Sequence, residues 1–125
     1  MGVEAVQSIG GISTLALHGY VKVINGIGDV SVVEYAPVNT EAIYVPNGCS
    51  TYIVNPASAL TSIAIFMPSV PLSGQLVTVI LLQAITSTLY VTTQPGQAIM
   101  GWTAGAFGPG YFTFQYWRGT WYRRG

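Results

Sequence analysis

Charged side chains are the scarcest part of this sequence. Four acidic and four basic residues make up 6% of its 125 positions, against about 25% in an ordinary soluble domain. A folded chain of 13.3 kDa has roughly one charge per 800 Å² at this composition, the patch that one partner loses in a standard interface. A free monomer so poor in charge tends to associate. The composition therefore predicts that other subunits cover much of the surface.

Cysteine and histidine occur once each, which excludes most catalytic and metal-binding sites. The only cysteine, Cys49, cannot form an intramolecular disulfide, and we expect it to pack as a small apolar side chain. The only histidine, His18, has no Cys or Asp partner at ligand spacing. Asp29 and Glu34 would lie on opposite faces of a shared strand, which argues against a carboxylate pair of the glycosidase type. We expect no cofactor, no metal and no enzymatic activity.

The charge balance and the apolar segments also argue against nucleic acid and membrane as partners. The formal net charge is zero, and Arg118, Arg123 and Arg124 are too few to bind a phosphate backbone. Residues 76–93 are apolar but contain Gln and Thr between flanking Pro and Gly, so they fit two strands better than a spanning helix. The N-terminus lacks the basic start of a signal peptide. We expect a soluble protein that is made in the cytoplasm.

The few charges are also segregated along the chain. All four acids lie in the first third, whereas three of the four basic residues lie in the last eight positions. Either so few charges cluster by chance, or the pattern orients the protein against a partner, since interfacial charge usually sets register.

The residues that are abundant point to β-structure. Thr, Val, Ile and Tyr recur, and Gly or Pro interrupts them about every ten residues, as in all-β sandwiches and barrels. Asn25-Gly26, Asn47-Gly48 and Arg118-Gly119 predict tight turns, and residues 105–110 predict a longer loop. We expect an antiparallel β-sandwich with jelly-roll-like topology, as a single domain over residues 20–125. The predicted strands are residues 20–24, 30–35, 42–45, 50–55, 62–67, 76–82, 88–92, 97–100, 112–117 and 120–123.

Two further patterns in the sequence, apolar alternation and a short repeat, give more detail on the expected strands. Apolar residues occupy every second place in 51–55 and 62–67, as in half-buried strands, but 77–82 is apolar on both faces. That segment is either a central strand or a strand whose outer face is buried by a neighbouring subunit. The segments 59–62 (Ala-Leu-Thr-Ser) and 84–87 (Ala-Ile-Thr-Ser) form a short repeat, which indicates one strand–connection–strand unit used twice.

The first nineteen residues differ from the rest. They are rich in Gly and Ser and show no clear period. A frayed tail is the simple interpretation, but such tails are usually polar, whereas this one carries several aliphatic residues. We therefore expect residues 1–19 to form an extended arm that contacts neighbouring subunits. The contacts are assigned to Val3, Val6, Ile9, Ile12 and Leu15.

Aromatic residues concentrate near the C-terminus. They can form a core with cross-strand pairs, or they can form interface anchors together with the arginines. We expect Phe112, Phe114 and Tyr116 to share a face and pack in the core. The remaining residues of the region are assigned to an interface: Trp117, Arg118, Trp121, Tyr122, Arg123 and Arg124.

The second half of the chain, about residues 48–124, resembles a recurrent β-module of tailed-phage virion proteins. Three segments carry the resemblance in order: 71–77 (Pro-Leu-Ser-Gly-Gln-Leu-Val), 83–89 (Gln-Ala-Ile-Thr-Ser-Thr-Leu), and 112–123, from Phe-Thr-Phe-Gln-Tyr-Trp to Trp-Tyr-Arg. The aromatic, glycine-rich segment 101–110 departs from the more polar stretch expected there.

The resemblance implies a structural protein of a bacteriophage particle. No shaft repeat is recognisable in the sequence, so we expect a small stand-alone capsid decoration (cement) protein on the outer surface of the head. Its partners would be the major capsid protein and further copies of itself, as a dimer or trimer. The alternative is a tail-fibre or spike tip that binds a host-surface glycan.

Overall fold

The computed structural model describes residues 20–21 and 32–125, and this part of the chain contains eleven strands and no helix. The expectation of an all-β protein is therefore confirmed. The strands are β1 (Tyr20–Val21), β2 (Val32–Tyr35), β3 (Ala42–Tyr44), β4 (Thr51–Val54), β5 (Leu60–Phe66), β6 (Leu76–Leu81), β7 (Ile85–Thr92), β8 (Ala98–Met100), β9 (Gly105–Phe107), β10 (Gly110–Trp117) and β11 (Thr120–Arg123).

The strands form two sheets. A large sheet has the order β1-β2-β4-β6-β10-β11-β8, and a small sheet has the order β3-β5-β7-β9. The chain alternates between the sheets from β2 to β7, so that each turn of the chain places one strand in each sheet. We call residues 32–92, from β2 to β7, the coils, because they stack in the manner of a β-solenoid.

Strand direction differs from the expectation. The neighbours β2–β4, β4–β6, β3–β5 and β5–β7 are all parallel, whereas a jelly-roll sandwich requires antiparallel neighbours. The physical reason is the path of the chain. After each strand the chain crosses to the other sheet, and when it returns it runs in the same direction as before, so successive strands of one sheet are parallel. Apolar alternation looks the same in both arrangements, which is why it did not separate them.

The short repeat in the sequence marks this stacking. Leu60 of β5 and Ile85 of β7 are register partners, and the Leu60 amide donates to the Ala84 carbonyl at 3.0 Å. The register then shifts by one residue, and Ser62 pairs with Thr88. The two copies of the repeat therefore lie side by side at the starts of adjacent parallel strands.

The coils end against antiparallel strands. Strand β9 pairs with β7, and β10 pairs with β6, both antiparallel, so each sheet changes direction at this end of the stack. Strand β11 pairs with β10 through the Arg118-Gly119 turn, where both residues have positive φ (50° and 87°), as the tight-turn prediction requires. We call residues 98–125 the cap. Strand β9 lies within the segment that was expected to be a loop.

The core fills the space between the two sheets. Inward residues of the coils are mostly aliphatic, with buried Tyr52 as an exception, whereas those of the cap are mostly aromatic, and Phe112, Phe114 and Trp121 are fully buried there. Cys49 is also buried, in agreement with its expected role as a small apolar side chain.

Several sequence-based predictions fall outside the described residues. They include the arm over 1–19 with Val3, Val6, Ile9, Ile12 and Leu15, the turn at Asn25-Gly26, and the residues His18 and Asp29. Parts of the predicted strands 20–24 and 30–35 lie outside them as well.

Candidate functional site

The outer side of the large sheet is the first candidate surface. Strand alternation turns every second residue away from the core, and the strand registers align the outward residues in rows. We call this surface the large-sheet face. Its rows are Glu34, Ile53, Ile80 and Tyr111; then Val32, Thr51, Thr78, Thr113 and Arg124; and then Leu76, Gln115, Tyr122 and Met100.

Large apolar side chains are exposed on this face. Trp117 extends it at the end of β10. A monomer gains nothing from leaving this much apolar area in water, so the face has the properties of a surface that a partner covers. The exposed fractions are 65% for Tyr111, 57% for Met100, 50% for Leu76, 50% for Trp117 and 38% for Tyr122.

Charge on the large-sheet face is confined to its two sides. Glu34, on β2, accepts a hydrogen bond from the side-chain amide of Asn55 at 2.8 Å. Arg124, after β11, donates from its guanidinium to the Gln115 side chain, and its amide donates to the Thr113 carbonyl at 2.7 Å. The centre holds hydroxyl and aliphatic groups, so the face is uncharged in the middle and oppositely charged at its edges.

The outer side of the small sheet is a second surface, which we call the small-sheet face. Tyr44 and Phe66 are register partners there, and their rings stack at 4.7 Å with an interplanar angle of 15°. Exposed Tyr90 lies in the next row, beside Ala42 and Ala64. None of the strands that form this face contains a charged residue.

The aromatic cluster of the cap supports both faces from within. Trp102 packs against Phe112 at 4.6 Å and Phe107 at 5.7 Å between ring centroids. Its indole N–H donates to the Leu89 carbonyl at 3.0 Å, which ties the cap to β7. The expected core positions of Phe112 and Phe114 are confirmed, and Tyr116 packs against the same core.

Trp121 is a correction to the expected interface. Its side chain is fully buried, packs on Tyr116 at 5.2 Å, and donates from its indole N–H to the Gln97 side chain at 2.9 Å. An indole in this position cannot contact a partner. Trp121 lies inward because it is the register partner of Tyr116, which packs against the core, and because it precedes outward Tyr122 in β11.

The other predicted interface residues lie at three separate places on the surface. Trp117 and Tyr122 lie on the large-sheet face, with Arg124 beside them. The Arg118 guanidinium lies over the Trp117 ring at 5.3 Å, at the turn. Arg123 lies on the other side of β11, over the Trp102 ring at 4.9 Å. The three arginines therefore do not form one patch.

The reactive groups of the described residues show little capacity for chemistry. Burial raises the pKa of the Cys49 thiol to about 11, which keeps it protonated and a poor nucleophile. Burial also raises the pKa of Tyr52. The Tyr35 hydroxyl donates to Glu41, and this bond lowers the pKa of the carboxyl. No group of three His, Cys, Asp or Glu residues that could hold a metal occurs in 20–21 and 32–125.

Sequence reasoning missed several residues of the two faces, namely Tyr111, Met100, Tyr44 and Tyr90. Strand alternation was the available signal, because Tyr111 precedes inward Phe112 and Tyr90 lies between inward Leu89 and Val91. Within the part of the chain that the structure describes, no helix is long and apolar enough to cross a membrane. No family model, curated protein or solved structure matches this chain.

Proposed function

We propose that this protein is a non-enzymatic structural component of a bacteriophage particle, a capsid decoration protein that binds the outer surface of the head. One observation carries the proposal. Both outer faces of the sandwich are nearly free of charge and expose large apolar side chains, so the subunit is suited to contacts on two opposite sides. Covering such faces removes apolar area from water and is favourable.

The role would be mechanical. A rigid two-sheet unit that contacts two shell subunits across a joint must lose one of those contacts before the subunits separate. Binding only to the mature shell then stabilises it by mass action, by about 2.7 kcal/mol per site when the free protein is at 100 times its dissociation constant. The major capsid protein and further copies of the chain are the partners of this proposal.

The interface residues of the proposal are distributed over the surface. Trp117, Tyr122 and Arg124 belong to the large-sheet face, and Arg118 lies at its end. The small-sheet face offers Tyr44 and Tyr90 to a second partner. The arm over residues 1–19 stays a predicted contact with neighbouring subunits.

A tail-fibre or spike tip is the second candidate, and the cap favours it. The parallel coils end against antiparallel β9 and β10, as the last unit of a longer stack would. The small-sheet face also combines aromatic rings with hydroxyl groups and carries no charge, which suits a neutral sugar.

The copy number in purified particles separates the two roles. We would measure it by gel densitometry against the major shell protein. Decoration predicts hundreds of copies, near one per shell subunit, and loss of heat stability in particles that lack the protein. A few to a few tens of copies would contradict decoration and favour the tip, with glycan binding as the next assay.

A further inference from the structure

The large-sheet face carries opposite charges on its two sides, and their positions restrict what can cover it. Glu34 lies on β2 and Arg124 follows β11, four strands away in the sheet order. Four strand spacings correspond to about 19 Å. Strand β6 lies midway between them, and the strands between the two charged sides present only uncharged side chains.

We propose that a second copy of this chain covers the large-sheet face, related by a two-fold axis that runs parallel to the strands above β6. This rotation exchanges the two sides of the face. Glu34 of one copy then faces Arg124 of the other, and the same pair forms again on the opposite side. A self-complementary patch of this kind is what a two-fold interface requires.

The charges also exclude the other simple orientation. A two-fold axis running across the strands would place Glu34 beside its own counterpart, and Arg124 likewise. Like charges in an interface are unfavourable, so the charge pattern selects the axis parallel to the strands. Arg124 lies one row from Glu34, about 7 Å along the strand, a distance that its long side chain can span.

The centre of the face fits the same arrangement. Thr78 and Ile80 of β6 would meet their counterparts on the axis, and exposed Tyr111 would pack on Ile53 of the other copy. Thr78 and Thr113 already share a hydrogen bond of 2.9 Å, which reduces the cost of burying these hydroxyls. An uncharged centre with charges at the rim is the usual anatomy of a protein interface.

The available area is close to what a specific contact requires. Strands β2, β4, β6, β10 and β11 contain 26 residues, so at about 16 Å² per residue two copies would bury roughly 800 Å² before the relief of the side chains is counted. A specific interface buries about 1,000 Å² or more, and the exposed Tyr111 and Leu76 side chains add to the flat area of the strands.

This pairing adds a specific partner to the proposed function as a decoration protein, but the dimer itself does not require a virus particle. It leaves the small-sheet face free for a second partner, such as a shell protein. Failure of the pairing in solution would leave the copy number in particles unaffected, so the two proposals can fail separately.

Charge reversal tests the pairing on the full chain. Sedimentation equilibrium should give twice the 13.3 kDa of the single chain. Glu34→Arg and Arg124→Glu should each raise the dimer dissociation constant at least tenfold, because each places two like-charged pairs in the interface. The double variant Glu34→Arg/Arg124→Glu restores opposite charges and should return the constant to within about threefold of the original.

Arg123→Glu is the matched control, because it makes the same charge change as Arg124→Glu on the opposite side of β11, away from the rows of the face. It should leave the dissociation constant unchanged, and circular dichroism should show that all variants are folded. A monomer at every concentration would overturn the pairing, as would a trimer, which would favour the fibre tip. Single reversals without effect, a double variant that does not recover, or an equal effect of Arg123→Glu would overturn it too.

Discussion

The coils and the cap hold the same two sheets together by different means. In the coils, equivalent rows of aliphatic side chains stack from strand to strand, and parallel hydrogen bonds repeat along the sheet. In the cap, four aromatic rings interlock, and two indole N–H groups donate to partners outside the cap. Stacking can therefore propagate a β-unit, whereas ending the stack requires a different set of contacts.

Core truncation should produce the largest losses of stability, and the loss should be greater in the cap than in the coils. Phe112→Ala removes a ring that contacts Trp102, Phe107 and Phe114, and we expect a loss of about 4 kcal/mol in the free energy of unfolding. Ile65→Ala in the coils should cost about 3 kcal/mol, because it loses burial without aromatic pairing. Urea unfolding of both variants measures the difference. An equal or greater loss for Ile65→Ala would contradict the aromatic account of the cap.

Glycine substitutions should give smaller losses of stability than core truncation, again greater in the cap. Gly48 in the coils and Gly101 in the cap both have positive φ (81° and 95°), so alanine is strained at either position. A Cβ at Gly48 meets nothing within 4 Å, but a Cβ at Gly101 would lie 2.7 Å from the Cβ of Arg123. We expect about 1 kcal/mol of destabilisation for Gly48→Ala and about 2 kcal/mol or more for Gly101→Ala.

Thermal unfolding of the two alanine variants tests this difference under the same conditions. Equal shifts of the melting temperature would mean that strand β11 can move away from residue 101. In that case the close approach of Gly101 to Arg123 contributes nothing to the stability of the cap.

Acid should produce the smallest effect, and it should act on the coils. Glu41 accepts hydrogen bonds from the Tyr35 hydroxyl and the Val38 amide, and its pKa is lowered from 4.5. A lowered pKa in the folded state gives stability that is present above pH 4.5 and is lost as the pH falls through the folded value. Among the described residues, the cap carries arginines but no carboxylate side chain, so it has no equivalent response.

Glu41→Gln checks the acid prediction. The variant should be slightly less stable than the original protein at pH 7 and should show a weaker loss of stability between pH 5 and pH 3. Identical pH profiles for the two proteins would contradict the assigned role of Glu41.

The sequence predicted the elements well and their pairing poorly. Strands such as 76–82 and 112–117 were found because alternation and flanking Gly or Pro are local signals. Parallel pairing depends on the path of the chain between strands, and apolar alternation carries no information about that path. The repeat at Leu60 and Ile85 was the one sequence feature that indicated parallel strands. Strand β9 was missed because Gly105 and its neighbours have low strand propensity, and its pairing with β7 overrides that tendency.

The sequence predicted that the protein has surfaces covered by partners, but it did not identify all the residues of those surfaces. Scarce charge indicated covered faces, and the two-sided apolar pattern of 77–82 allowed an outer face buried by another subunit. Trp121 was misassigned because an indole suits a core as well as an interface. Its place between two outward residues could have located it.

An interface between subunits on the large-sheet face should be detectable with a single cysteine at its centre. Thr78→Cys places a thiol on β6, where two copies would meet on the axis, while native Cys49 is buried and stays protonated. Thr92→Cys, on the small-sheet face, is the matched control. Treatment with a short bismaleimide should link Thr78→Cys into a covalent dimer and leave Thr92→Cys as single chains. Single chains in both variants, or equal linking of both, would contradict the account.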